Sequence, residues 1–98
     1  MQVGSRRAVL NPESGDGNHA DSVERLLSAR GFAVSRTEGP GDALDLGRAA
    51  GEAGASEVAV AGGDGTVNEV VRGLARADHL EEVTLSVIPV GTANLLAG

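Results

Sequence analysis

Apolar positions along the 98 residues follow two different spacings. Ala8-Val9-Leu10, Phe32-Ala33-Val34-Ser35, Glu57 to Ala61 and Val83 to Ile88 are short apolar runs bounded by turn residues, which reads as four buried strands. Between them the apolar residues recur at three and four, the spacing of amphipathic helices. The faces are Val23, Leu26 and Leu27, then Leu46, Ala49, Ala50 and Ala53, then Val67, Val70, Val71 and Leu74. Start signals accompany two of these helices, since Asp21 with Glu24 and Thr66 with Glu69 have capping-box spacing. Asp42 is placed to cap the middle helix, and Gly31 and Gly54 stand where left-handed stops are expected. Gly47 and Gly51 should weaken that middle helix. After the fourth strand, Pro89 to Asn94 leads to a further helix beginning at Leu95. Strands alternating with helices in this way imply right-handed βαβ units, and hence an α/β fold of three layers, α/β/α, around a parallel sheet.

That topology gives one segment a chemical meaning. Gly62-Gly63-Asp64-Gly65-Thr66 lies between a strand and a helix start, where glycines let the backbone approach phosphate oxygens and the free N–H groups of the first helical turn supply donors. Asp64 stands out, because a carboxylate among anion-binding amides suggests a bound divalent cation or the handling of a substrate hydroxyl. In a parallel sheet the loops after the strands emerge at one edge, so Asn11 to Gly15, the loop near Thr37 and Glu38, Gly62 to Thr66 and Gly91 to Asn94 should cluster there. Their hydroxyls (Ser14, Thr37, Thr66, Thr92) and amides (Asn11, Asn68, Asn94) suit a polyphosphate with its ribose.

Composition removes several alternatives. Fourteen acidic residues against eight basic ones give a net charge of −6, which argues against nucleic acid as a partner. Every basic residue is arginine, so a G-x-x-x-x-G-K-[ST] phosphate loop is excluded. The absence of cysteine removes disulfides and thiolate metal sites, and no apolar run is long enough to cross a bilayer. A cytoplasmic setting, peripheral at most to a membrane, is the expectation. His19 and His79 have no ligand-spaced partner and read as solvated surface residues, so no residue is singled out as a resident metal ligand.

Each local signal also has a plainer reading. A glycine turn needs no ligand, Thr66 can serve only as an N-cap, Glu69 only as its capping partner, and Asn11-Pro12 only as a turn. Glu81-Glu82 reads as a solvated loop and Phe32 as a core residue.

Three segments taken in order resemble one family. Asn11-Pro12-Glu13-Ser14-Gly15, Gly62-Gly63-Asp64-Gly65-Thr66-Val67-Asn68-Glu69 and Pro89-Val90-Gly91-Thr92-Ala93-Asn94 are similar to the N-x-x-S-G, G-G-D-G-T-x-N-E and P-x-G-T-x-N motifs of the diacylglycerol kinase catalytic domain. Bacterial lipid kinases, ceramide kinases and sphingosine kinases belong to that family. The resemblance implies a phosphofructokinase-like and NAD-kinase-like domain that transfers the γ-phosphoryl group of ATP to a lipid hydroxyl with Mg²⁺. The acceptor would be a lipid such as diacylglycerol at a membrane surface, and a homodimer is one assembly open to such an enzyme. Carried over by position, Asn11, Pro12, Glu13, Ser14, Gly15, Thr37, Gly62, Gly63, Asp64, Gly65, Thr66, Val67, Asn68 and Thr92 would contact the nucleotide. Asp64 would be the aspartate on which activity depends. In this family a β-rich domain follows, carrying the acceptor surface, a proposed glutamate base and a metal site. Residues 1–98 are therefore expected to be the truncated N-terminal, ATP-binding part of a lipid kinase, inactive alone. Leu95 stands where the family often has an acidic residue. An NAD kinase, which shares the Gly-Gly-Asp-Gly turn, is the alternative enzyme, and a catalytically incompetent nucleotide-binding fragment is the alternative outside enzymology. Asn11 to Gly15 and the Asn68-Glu69 pair favour the lipid kinases.

Overall fold

Residues 5–13 and 19–88 are described by the computed structural model. Strands β1 (Arg6–Leu10), β2 (Ala33–Arg36), β3 (Glu57–Ala61) and β4 (Thr84–Ile88) form one parallel sheet in the order β2-β1-β3-β4. Helices α1 (His19–Ala29), α2 (Asp42–Glu52) and α3 (Asp64–Arg76) make the crossovers, and a short 3₁₀ turn at Leu80–Glu82 precedes β4. The chain steps one way from β1 to β2 and the other way from β2 through β3 to β4. Right-handed crossovers then place α1 on one face and α2 with α3 on the other. Alternation along the strands fills both layers. Val9, Val58 and Val60 pack with Ala43, Ala50, Val70 and Leu74, whereas Ala8 and Ala59 meet Leu27, and Leu10 and Ala61 meet Ala20. The three-layer α/β/α architecture read from the strand and helix spacing is the one observed.

Two helix faces differ from their expected residues. On α1 the buried line is Ala20, half-buried Val23 and Leu27, and Leu26, one position off it, is 52% exposed. On α2 the line is Ala43, Gly47, Ala50 and Gly51, with Ala49 and Ala53 exposed. Gly47 and Gly51 are thus contact residues, not weak points. A Cβ at Gly47 would lie 2.5 Å from the Val70 carbonyl oxygen, one at Gly51 2.6 Å from the Ala77 Cβ, and one at Gly73 would overlap the Leu44 carbonyl oxygen. Helices normally keep apart by the thickness of their side chains; here glycine lets the two backbones touch.

The helix starts are also corrected. α3 begins at Asp64 with extended Gly63 as its N-cap, so Thr66 is the third helical residue, and neither it nor Glu69 caps. α2 is preceded by Gly41 in the left-handed region (φ 89°), and the Asp42 carboxylate instead accepts the Glu38 N–H at 2.7 Å. α1 includes His19 and Ala20, so Asp21 lies inside the helix and not at its cap. Freed from capping, Asp21 and Glu24 accept from Arg36 at 2.7 and 2.6 Å, tying α1 to the end of β2. Gly31 and Gly54 have φ of +90° and +75° and end their helices as expected. His79 is not a solvated residue: its side chain is 13% exposed, and its Nε2 donates to the Ala55 carbonyl at 2.6 Å, joining the end of α3 to the loop before β3.

Two expectations follow from these contacts. Gly73→Ala should lower stability by about 1–3 kcal/mol despite the better helix propensity of alanine, since a backbone carbonyl must move; a thermal midpoint equal to the parent's would contradict the close helix pair. The hydrogen bond and charge of Arg36 hold the Asp21 carboxyl below the usual carboxylate range. A lowered folded-state value stabilises the fold above the ordinary carboxylate range, and that contribution disappears as pH falls through the lowered value. Melts of Arg36→Gln should therefore lie below the parent at neutral pH and converge on it in acid, whereas a gap independent of pH would exclude the pairing.

Candidate functional site

The sheet hydrogen bonding runs one residue past the strands. Asn11 N–H donates to the Ala61 carbonyl and Thr37 N–H to the Leu10 carbonyl, each at 2.9 Å. Asn11 therefore keeps the parity of Val9 and faces the α3 side of the sheet. There its Nδ2 donates to the Thr66 hydroxyl at 3.1 Å, while its Oδ1 accepts the Glu13 N–H at 3.0 Å. Thr66, on the first turn of α3, is 8% exposed and is the buried polar residue of the described core. Gly62 is required beneath it, since a Cβ there would come within 2.9 Å of the Thr66 side chain.

These ends enclose a cavity of about 330 Å³. Of the residues expected to form a site, Asn11, Glu13, Thr37, Gly65 and Thr66 line it together. Pro12 is half-buried, Gly63, Asp64 and Asn68 are exposed at or beyond the glycine turn, and Val67 packs toward the α2–α3 core. Ser14, Gly15 and Thr92 lie outside the described residues, as does the Pro89 to Asn94 segment. Glu38, expected at this edge with Thr37, lines the cavity too, and further walls were not expected there: Gly39 and Pro40 from the β2–α2 connection, Ala43 from the first turn of α2, and Glu69 one turn along α3. Two signals could have found them. Gly39-Pro40-Gly41 follows a strand end at the carboxyl edge, and Glu69 sits three residues after Thr66 on the same helical face.

Among the described residues, nothing gives Gly63 and Gly65 such an internal reason to be glycine. Gly63 has φ −90° and ψ −172°, Gly65 lies within the helix, and a Cβ on either would meet no described atom within 4 Å. Glycine in the first turn of a helix forgoes up to about 1 kcal/mol of propensity relative to alanine. Open space on the outer side of a helix N-terminus, with its unpaired N–H groups and partial positive charge, fits an anion that must come close to the backbone.

The surrounding charge is negative. Among the described residues Glu13, Glu38 and Glu69 line the cavity and no arginine does, and Arg36 at the end of β2 is committed to Asp21 and Glu24. Bound phosphates would thus depend on backbone amides and an added cation. Among the described residues no three His, Cys, Asp or Glu side chains converge on a metal position. Mg²⁺ at phosphoryl-transfer sites is held by one or two carboxylates together with the substrate phosphates, and Asp64, exposed at the first position of α3, fits that mode. No helix among the described residues is long and apolar enough to cross a membrane.

The chain is 46% identical over 79 residues to a probable lipid kinase YegS-like of Chromohalobacter salexigens, covering 80% of this chain and 25% of that protein. It is 43% identical over 94 residues to a diacylglycerol kinase of Bacillus subtilis, covering 90% and 30%, and 38% identical over 93 residues to a putative lipid kinase of Streptococcus pneumoniae, covering 90% and 31%. The chain thus spans between a quarter and a third of the length of these curated relatives. The sequence profile of the diacylglycerol kinase catalytic domain matches residues 6–98, and with it the chain belongs to the diacylglycerol kinase catalytic domain family.

Proposed function

We propose that the chain supplies the N-terminal, nucleotide-binding part of an ATP-dependent lipid kinase. The γ-phosphoryl group passes to a lipid hydroxyl, such as that of diacylglycerol at a membrane surface, held by a separate β-rich domain. One observation carries this reading: Gly63 and Gly65 are glycines that neither backbone conformation nor packing among the described residues explains, and no described atom occupies the space beside them at the α3 N-terminus. The N–H groups of this turn hold phosphate oxygens, and the Thr66 hydroxyl adds a side-chain donor. The carboxylates of Glu13 and Glu38 disfavour phosphate at the other end of the cavity, which receives the ribose and base and offers acceptors for their hydroxyl and amino groups. Asp64 holds the cation beside the phosphates. Mg²⁺ held there would supply neutralisation of the charge on the phosphate oxygens. Positioning and electrostatics supply most of the catalysis in this reaction class, which suits a site built from backbone donors and one carboxylate.

Calorimetric titration of the chain with ATP, in Mg²⁺ and in chelator, tests these roles. Gly65→Ala should weaken ATP binding roughly tenfold or more while its melting temperature stays level or rises, because the added methyl occupies ligand space and improves the helix. Asp64→Asn should erase the gain in affinity that Mg²⁺ confers on the parent and leave the melt unchanged. Parent-like ATP binding by Gly65→Ala would contradict the phosphate turn, and an undiminished Mg²⁺ effect in Asp64→Asn would remove the cation from that carboxylate.

A further inference from the structure

The side chain of Asn11 makes two hydrogen bonds within the protein. Its Oδ1 accepts from the Glu13 N–H at 3.0 Å, and a backbone N–H can only donate, so the orientation of the amide is settled. Its Nδ2, a donor with no lone pair to offer, then lies 3.1 Å from the Thr66 oxygen. Thr66 must therefore accept this bond. A hydroxyl has one proton, and here that proton cannot point at Asn11; among the described residues no hydrogen bond donated by it is found. Thr66 sits in the first turn of α3, its residue 8% exposed and on the cavity wall next to Gly65, so the free direction of its proton is toward the ligand space.

We infer that Asn11 is a positioning residue, which fixes the Thr66 hydroxyl as a donor aimed at a phosphate oxygen and acts on the nucleotide through that hydroxyl. The inference rests on the nucleotide reading given above and revises one part of it, since the amide of Asn11 was expected among the nucleotide contacts. The strand register explains why an amide is used. Asn11 continues β1 on the α3 side of the sheet, so it reaches across from one loop to the other, 55 positions apart in sequence, and joins the two motifs into one site. A serine or aspartate at this place could accept from Glu13 N–H, but neither offers a neutral amide donor of the right length.

A double-mutant cycle on Mg·ATP affinity tests this. Asn11→Ser retains an acceptor for the Glu13 N–H and removes the reach to Thr66; Thr66→Val keeps the shape and removes the hydroxyl. Each alone should weaken Mg·ATP binding about ten- to a hundredfold, the range for losing a hydrogen bond to a charged group. The two together should be no weaker than Thr66→Val alone, and Thr66→Ser should bind like the parent until Asn11→Ser is added. Melting curves confirm that each variant is folded, and Thr66→Ala replaces Thr66→Val in the cycle where the latter does not fold. Additive losses would show that Asn11 contacts the nucleotide directly and would overturn the inference while leaving the nucleotide reading intact. Parent-like affinity of Asn11→Ser would overturn it as well. A folded parent that binds no Mg·ATP would overturn both.

Discussion

The close approach of α2 and α3 sets the position of everything at the carboxyl edge of the sheet. Gly47 and Gly73 let these helices touch through their backbones, Gly51 makes room for the Ala77 side chain, and a Cβ at any of the three would collide with the neighbouring helix or the turn that follows it. α3 is thereby fixed in its layer over Val58 and Val60, with Val70 and Leu74 fully buried beneath it. Its axis decides where its N-terminus points. At that end Thr66 takes a hydrogen bond from Asn11 on the continuation of β1, so the helix is anchored both along its length and at its tip. At the other end of α3, His79 reaches the Ala55 carbonyl and closes the unit. Among the described residues no side chain caps the start of α3, which leaves the backbone N–H groups of its first turn available to an anion.

The acidic character of the chain has a consequence at this site. With a net charge of −6 and three glutamates on the cavity wall, side-chain cations do not draw phosphate in. The pull must come from short-range donors and from a cation bound together with the nucleotide. On the proposed function that division gives the cavity a direction, with phosphates toward the glycine turn of α3 and the nucleoside toward the β2–α2 connection.

Much of this was legible in the residues, for physical reasons that can be named. Buried parallel strands are continuous apolar runs, so Ala8 to Leu10 and Glu57 to Ala61 were readable directly, and strand–helix alternation then placed the loops on one edge. Helix starts were not. Thr66 with Glu69 and Asp21 with Glu24 have the spacing of a capping box, but the same spacing places two side chains on one helical face. In the fold Glu69 lines the cavity and the other pair holds Arg36. Helix propensity likewise misjudged Gly47 and Gly51, because propensity scores a helix alone and their value lies in contact with a second helix. His79 was misread because its partner is a backbone carbonyl, which no sequence pattern marks.

The central claim is that the open glycine turn at the start of α3 binds the phosphates of a nucleotide. Mapping backbone amide resonances of the chain through a titration with Mg·ATP addresses it most directly, since each N–H in the turn reports on its own environment. The largest shifts should fall on Gly63, Asp64, Gly65 and Thr66, with smaller ones on Thr37 to Gly39 and almost none at the opposite edge of the sheet around Ser56 and Thr84. Shifts concentrated at that opposite edge, or a glycine turn that stays silent at saturating nucleotide, would contradict it.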